Sequence, residues 1–234
     1  MTSSADIQTE VKRIFREAWV TTKATVVPEA SDIALEKNEA KEIEDATVLY
    51  ADLSGSTSMV LAKTREFAAE VYRAYLYSAA QIIKNEGGEV TAYDGDRVMA
   101  VFLGGTPTTN AVRCALKINW AVQSIINPAI EAQYGAGKYT VKQVIGIDHS
   151  SLFVVRTGVR GDNDLVWVGR AANYAAKLTE ISNDDPTFIT EEAFNRLLEA
   201  GKYGGDPKKL TWRERQWTPM NNRRIYSSAW SWSF

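Results

Sequence analysis

Two aspartates have the residue type and position most suited to catalysis in this sequence. Asp52 ends a short apolar run, and Asp96 lies in a turn between two strand-like segments. Four small residues follow shortly after Asp52: Ser54, Gly55, Ser56 and Thr57. Converging carboxylates suit Mg²⁺ or Mn²⁺, and a turn that opens a helix offers backbone N–H groups to phosphate. Either aspartate alone fits a helix cap or a hairpin turn, but the combination indicates metal-assisted phosphoryl transfer.

The composition leaves few other reactive groups. The chain of 234 residues has one histidine, His149, and one cysteine, Cys114. These counts exclude a structural zinc site, an internal disulfide and a dithiol redox centre, and they give little support to histidine-based hydrolysis. We expect Cys114 to be a small core residue and His149 to lie in a turn or at a strand end.

Charge and hydropathy indicate where the protein works. The formal net charge is −2, from 27 basic and 29 acidic residues, so no overall positive field favours nucleic acid or an anionic membrane. No apolar run approaches the ~20 residues that cross a bilayer. The polar segment Met1 to Glu10 lacks the layout of a signal peptide. We therefore expect a cytoplasmic protein with no nucleic-acid or membrane partner.

Charge patterning divides the chain into two parts. Residues 7–20 have the apolar spacing of an amphipathic helix, and the dense mixed charge of residues 36–45 is typical of a solvated linker. We accordingly predict an N-terminal helix and linker over residues 1–44 and a catalytic domain over residues 45–234. The catalytic domain opens with a strand whose alternation places Val48, Tyr50 and Asp52 on one face and Leu49, Ala51 and Leu53 on the other.

The remaining pattern predicts an α+β fold. The further elements expected are a helix over 64–86, hairpin strands over 89–93 and 97–103, a helix over 108–135 broken at Pro128, two strands within 141–159 that meet near His149, a strand over 165–168, a helix from Gly169, a short helix from Thr190, and an edge strand holding Trp230, Trp232 and Phe234. This order matches the ferredoxin-like βαββαβ plan, an antiparallel sheet with covering helices. In that plan the first strand lies beside the hairpin, so Asp52 and Asp96 can converge.

Three segments resemble the signature blocks of class III nucleotidyl cyclase catalytic domains. They read ATVLYADLSGST, GGEVTAYDGDRVMAVFLG and VWVGRAANYAAKL, and they occur in order over roughly residues 45–195. The resemblance implies that Asp52 and Asp96 hold two metal ions, Mg²⁺ or Mn²⁺. It also implies a nucleoside triphosphate substrate whose ribose 3′-hydroxyl attacks the α-phosphorus with loss of pyrophosphate. Members of this family act as head-to-tail homodimers with sites at the subunit interface.

The third block supplies residues for the partner's site. Arg170, Asn173 and Lys177 lie at i, i+3 and i+7 of one predicted helix and so share a face, which alone would be compatible with a solvated surface. The resemblance implies that Asn173 orients the ribose. Lys177 stands where the family has an arginine that stabilises charge on the α-phosphate. A lysine offers a point charge in place of a fork, so we expect a slower reaction or a contribution from Arg170.

Three positions bear on the choice of base. Family members that use purines select the base at the positions of Ala92 and Val166, and neither side chain can hydrogen-bond to a purine edge. Tyr50 shares a strand face with Asp52, so its ring either narrows the base pocket to a pyrimidine or belongs to the ordinary core. The pattern resembles the pyrimidine cyclases, uridylate and cytidylate, of the bacterial Pycsar antiphage system, whose cyclic nucleotide activates a separate effector protein.

The resemblance implies a pyrimidine nucleotide cyclase, and several alternatives stay open. The residues do not separate UTP from CTP, although we favour UTP. A purine (adenylate) cyclase, and a degenerate cyclase that binds nucleotide without turnover, are less favoured because the purine-selecting residues are absent and both metal aspartates are present. A palm-type polymerase or diguanylate cyclase is disfavoured because Glu89, in the segment Gly87-Gly88-Glu89, precedes a strand and does not lie in a turn.

Overall fold

The chain forms both helices and strands, and the computed structural model describes residues 2–181 and 185–234. The helices are α1 (Ser4–Arg16), α2 (Ser56–Ala62), α3 (Arg65–Asn85), α4 (Pro107–Ala121), α5 (Asn127–Tyr134), α6 (Arg170–Leu178), α7 (Glu191–Arg196) and α8 (Glu199–Lys202). The strands are β1 (Val20–Lys23), β2 (Glu39–Ser54), β3 (Gly88–Asp94), β4 (Arg97–Phe102), β5 (Lys142–Val159), β6 (Asp162–Val168), β7 (Thr187–Thr190), β8 (Tyr203–Gly204), β9 (Lys209–Leu210), β10 (Arg213–Trp217) and β11 (Arg223–Ser228). In the described ranges, none of these helices is long and apolar enough to cross a membrane.

The central sheet follows the predicted ferredoxin-like plan. Its strands run in the order β10-β11-β7-β5-β2-β4-β3, with β1 beside β2 and β6 beside β5. The inner set β5-β2-β4-β3 is antiparallel throughout and corresponds to the four strands of the βαββαβ motif. The predicted fold class is therefore confirmed, and the predicted hairpin of β3 and β4 turns at Gly95, whose φ is +62°.

Helices cover both faces of this sheet. On one face α3 and α4 bury Leu49, Ala51 and Leu53 of β2, as the alternation in the sequence predicted. On the opposite face α6 packs small residues, including Ala171 and Ala175, against Val48, while Tyr50 is half-buried at the edge of this second cluster. The second face is the one on which the side chains of Tyr50 and Asp52 lie.

The charged stretch before residue 46 forms a strand, and the predicted linker is wrong. β2 begins at Glu39, and Ala40 and Ile43 are fully or almost fully buried in it. Its N-terminal part pairs in parallel with β1 and antiparallel with β5, with a bulge between Ile43 and Ala46. Charged residues are tolerated here because their side chains alternate with the buried ones. The boundary predicted between residues 44 and 45 thus falls inside β2.

The two strands predicted within 141–159 are a single strand, β5. His149 lies in its middle and is buried, so the expectation of a turn or strand end is also wrong. The imidazole fits the interior because both ring nitrogens have partners. Nε2 lies 2.8 Å from Asp45 Oδ1, and Nδ1 lies 2.9 Å from Thr47 Oγ1. Burial lowers the pKa of His149, which favours the neutral ring.

The tail does not form the predicted edge strand. Residues 229–234 have no regular structure, and Trp230 and Trp232 pack against the cluster under α4. Asn119 Nδ2 of α4 donates to the carbonyl oxygen of Trp230 over 2.8 Å. Aromatic burial against a helix thus replaces strand pairing. The long helix is broken as predicted near Pro128, where a π-helical turn, Val122–Ile126, joins α4 to α5.

Candidate active site

Asp52 and Asp96 lie close together at one end of the sheet. β2 pairs with β4, and Ala51 faces Val98, so the end of β2 meets the turn that carries Asp96. Burial, followed by repulsion from Asp96, raises the pKa of Asp52 to about 6. One carboxylate oxygen of Asp96, Oδ2, is buried and has no hydrogen-bond partner among the described residues. Two neighbouring carboxylates, one of which has an unpartnered oxygen, therefore lie at this end of the sheet.

A divalent metal ion fits this pair. Carboxylate oxygens are the ligands that Mg²⁺ and Mn²⁺ prefer, and a cation would offset the repulsion between Asp52 and Asp96. Among the described residues, no group of three or more His, Cys, Asp or Glu side chains is arranged to hold a metal ion. A pair of carboxylates suits Mg²⁺ because this ion commonly binds one or two carboxylates together with substrate phosphates.

The small-residue turn adjoins the aspartate pair. α2 begins at Ser56, and Gly55 before it has a φ of +77°, a left-handed conformation that glycine adopts readily. No side chain caps this helix. A cleft of about 490 Å³ touches Asp52, Ser54 and Gly55. The first-turn N–H groups of α2 are thus not occupied by a capping side chain.

Tyr50 lies on the same sheet face as Asp52, and the guanidinium of Arg97 lies over its ring. Tyr50 is paired with Met99, and Met99 lies two residues from Arg97, so all three side chains share this face. The guanidinium carbon of Arg97 is 5.4 Å from the centre of the Tyr50 ring. Arg97 also donates to Asp94 Oδ2 over 2.7 Å. We call the four residues Tyr50, Ala92, Asp94 and Arg97 the base face.

Ala92 and Val166, which stand at the positions where purine cyclases select their base, lie on different strands. Ala92 of β3 is paired with Met99 and packs at the edge of the second cluster. Val166 of β6 is 41% exposed, whereas its neighbours Leu165 and Trp167 pack against that cluster. Val166 therefore points to the outer side of β6, and its predicted contact with substrate stays a prediction.

Helix α6 presents Asn173 and Lys177 to solvent, while Arg170 is engaged. Asn173 and Lys177 are exposed, and their predicted roles in a second subunit's site stay predictions. Arg170 Nε donates to Asp148 Oδ2 over 3.0 Å, and its Nη1 donates to Glu192 Oε1 over 2.9 Å. Arg170 thus holds the first turn of α6 against β5 and α7. Its predicted catalytic role stays a prediction.

A charge network that the sequence did not reveal extends from Arg170. Asp148 is fully buried, and burial raises the pKa of its carboxyl group. Glu192 accepts from both Arg170 and Arg223, and the two guanidinium carbons lie 5.8 and 5.3 Å from the ring centre of Tyr174. The network connects α6 to β5, α7 and β11. No spacing signal could have found it, because its members come from four separate elements.

Comparison with known proteins identifies the family. The chain is 51% identical over 219 residues to a uridylate cyclase of Xanthomonas perforans, covering 94% of this chain and 93% of that protein. It is 46% identical over 233 residues to a uridylate cyclase of Burkholderia cepacia, covering the whole of both proteins. The chain belongs to the uridylate cyclase family. It is therefore a nucleotidyl cyclase, although no protein-family model matches its sequence.

Solved structures place the fold of this cyclase among the class III cyclase domains. The adenylyl cyclase CyaB from P. aeruginosa superposes with a TM-score of 0.68 at 20% identity, over 81% of this chain and 95% of that one. The guanylyl cyclase Cya2 superposes with a TM-score of 0.67 at 19% identity, over 80% of this chain and 93% of that one. At this level of identity the likeness establishes the cyclase fold only.

Sequence reasoning named Asp52, Asp96, Tyr50 and the turn at Gly55 as candidate site residues but did not name Arg97. In the structure, Asp52, Asp96, Tyr50 and the turn at Gly55 lie near one another at one end of the sheet. It keeps Asn173 and Lys177 exposed on α6. Arg97 had one sequence signal, its position directly after Asp96, but only the pairing of β2 with β4 shows that it covers Tyr50.

Proposed function

We propose that this cyclase converts UTP to 3′,5′-cyclic UMP and pyrophosphate. The observation that carries the proposal is the half-buried carboxylate pair of Asp52 and Asp96 beside the ring of Tyr50. The pair offers a site for metal ions at the triphosphate, and the tyrosine occupies space that a purine would need. The 51% and 46% identities to proteins named uridylate cyclase support the same substrate.

In this proposal, one group of residues binds the metal ions and another binds the phosphates. Asp52 and Asp96 would hold two divalent metal ions, Mg²⁺ or Mn²⁺, whose positive charge would stabilise the phosphoryl oxygens and favour ionisation of the ribose hydroxyl. The turn from Ser54 to Thr57 donates backbone N–H groups to the phosphates. The ribose 3′-oxygen forms a bond to the α-phosphorus, the bond to the bridging oxygen breaks, and pyrophosphate leaves with that electron pair. The hydroxyl proton passes to water.

A second subunit completes the site in this proposal. Asn173 and Lys177 are exposed on α6, and among the described residues neither side chain has a hydrogen-bond partner within its own chain. We place the partner subunit's Asn173 at the ribose and the partner subunit's Lys177 at the α-phosphate of a head-to-tail homodimer. Arg170 holds α6 in place through Asp148 and Glu192. A fixed helix is required because catalysis of this kind depends on positioned charges.

The product would act as a signal. We propose that cyclic UMP activates a separate effector protein in defence against phage, and that the cyclase works in the cytoplasm, where its triphosphate substrate is made. Incubation with UTP, CTP, ATP or GTP singly in Mn²⁺, followed by mass spectrometry of the products, tests the enzymatic step. Cyclic UMP from UTP supports the proposal, and no cyclic product from any triphosphate rules it out.

A further inference from the structure

Arg97 is a cation on the same sheet face as Tyr50. The proposed binding of metal ions and phosphates gives it no role. It begins β4, directly after Asp96, and its side chain is 30% exposed. Among the described residues, Asp94 is its one hydrogen-bond partner, at 2.7 Å. Arg97 is paired with Asp94 across the hairpin, and this pair lies on the same face as Ala92 and Tyr50.

Two contacts fix the plane of this guanidinium. Its carbon lies 5.4 Å from the centre of the Tyr50 ring, a cation–π geometry that holds the group against the aromatic face. The Asp94 carboxylate takes one terminal nitrogen. A guanidinium has five N–H donors and no acceptor, so donors remain beyond the one that Asp94 uses. Arg97 is thus a donor-only group, held by two contacts, beside the ring that we place at the base.

A donor-only group can distinguish the two pyrimidines. The 4-position of uracil is a carbonyl oxygen, which accepts hydrogen bonds, whereas that of cytosine is an amino group, which donates them. A guanidinium N–H therefore binds uracil but opposes the cytosine amino group, which would be left unpaired together with the donor. Neither Ala92 nor Tyr50 makes this distinction, because alanine has no polar side-chain atom and a hydroxyl can donate or accept.

We propose that Arg97, held by Tyr50 and Asp94, donates to the 4-carbonyl oxygen of uracil and so selects UTP over CTP. This inference rests on the proposed function, since it requires a pyrimidine triphosphate at the site. It assigns the choice between the two pyrimidines to a residue that belongs neither to the positions of the purine selectors, Ala92 and Val166, nor to the aspartate pair. The Tyr50 ring excludes the larger bases by its size, and Arg97 chooses between the two smaller ones.

The ratio of kcat/KM for UTP to that for CTP tests the proposal. Full-length wild type, Arg97→Gln and Arg97→Lys are compared in Mn²⁺. Glutamine can both donate and accept, so the ratio in Arg97→Gln should fall by roughly tenfold or more. Lysine keeps the positive charge near Asp52 but loses the planar fork, so Arg97→Lys should have an intermediate ratio. Arg73→Gln, the same change on the exposed side of α3, should leave the ratio unchanged.

Other outcomes overturn the proposal. If both rates fall by one factor in Arg97→Gln and the ratio stays constant, Arg97 acts on the phosphates or on Asp52 and does not read the base. If this variant is inactive on both substrates, thermal stabilisation by UTP and by CTP gives the ratio, and equal loss of both shifts also overturns it. Wild type that makes no cyclic nucleotide contradicts the proposed function instead, and the binding comparison still tests Arg97.

Discussion

Asp52 and Asp96 lie close together, and burial of Asp52, followed by repulsion from Asp96, raises the pKa of the Asp52 carboxyl group to about 6. The two aspartates come from the end of β2 and from the β3–β4 turn. Such a pair is unfavourable in the absence of a cation, because each carboxylate disfavours the charge of the other. This relationship links the fold to the proposed chemistry and leads to the first two predictions.

Replacing either aspartate by asparagine should abolish turnover. Asp52→Asn and Asp96→Asn each remove a charged metal ligand with little change in volume, so the fold should persist while cyclic product falls below detection. Product formation and the melting temperature check both statements. Asp162→Asn, the same change at an exposed carboxylate on β6, should keep full activity. An active Asp52→Asn/Asp96→Asn double variant would refute the metal model.

The stability of metal-free protein should depend on Asp52 in a defined pH window. Because its folded pKa is raised from 3.8 to about 6, stability is fully present below pH 3.8 and is lost as the pH rises through about 6. Asp52→Asn does not titrate and avoids this loss. In EDTA, the melting temperature of Asp52→Asn should therefore exceed that of wild type by more at pH 7.5 than at pH 5. An equal difference at both pH values would contradict the raised pKa.

Truncating Tyr50 should relax the exclusion of purines. Tyr50→Ala removes the ring that occupies the base face, so the preference for UTP over ATP in kcat/KM should fall roughly tenfold or more. Tyr50→Phe retains the ring and should retain the exclusion. The Mn²⁺ concentration for half-maximal rate should change little in both variants. An unchanged UTP-to-ATP preference in Tyr50→Ala would assign Tyr50 to the core alone.

Lys177 should act on the rate more than on binding. Lys177→Ala removes the charge that we place at the α-phosphate, so kcat should fall by roughly 10²-fold with a smaller change in KM. Lys177→Arg supplies a bidentate fork and should match or exceed the wild-type rate. A large rise in KM at constant kcat in Lys177→Ala would show that Lys177 contributes ground-state binding only.

Two inactive variants should restore activity when mixed if the site is shared. In an equal mixture of Asp52→Ala and Asn173→Ala, half of the dimers contain one subunit of each kind, and each such dimer has one intact site. The mixture should recover about a quarter of the wild-type rate. Asp52→Ala mixed with Asp96→Ala serves as the control and should stay inactive. No recovery in the first mixture would place the whole site within one chain.

The sequence was most informative where a short repeat of apolar residues determines which side chains are buried. Alternation along β2 correctly placed Leu49 and Ala51 in the core and Tyr50 and Asp52 on the other face, since a strand has a period of two. It failed at residues 36–45, because the burial of Ile43 is caused by residues distant along the chain. The charged residues beside Ile43 therefore have the sequence pattern of a linker, although they belong to β2.

Contacts between strands and helices were beyond sequence reasoning. His149 looked like a turn residue because the Thr47 and Asp45 partners that satisfy its ring come from β2. Arg97 looked like a hairpin residue because Tyr50, the ring it covers, lies on another strand. The spacing of Asn173 and Lys177 in the sequence was compatible with a solvated helix face. The structure adds that both side chains are exposed and that Arg170 holds their helix, α6, against β5.

One competition experiment tests the central claim most directly. The cyclase is incubated with equal concentrations of UTP, CTP, ATP and GTP in Mn²⁺, and the cyclic products are separated and quantified by mass spectrometry. We expect 3′,5′-cyclic UMP as the main product, with an equal amount of pyrophosphate, and neither with Asp52→Asn. A cyclic purine nucleotide or cyclic CMP as the main product, or cyclic UMP formed equally well by Asp52→Asn, would contradict the claim.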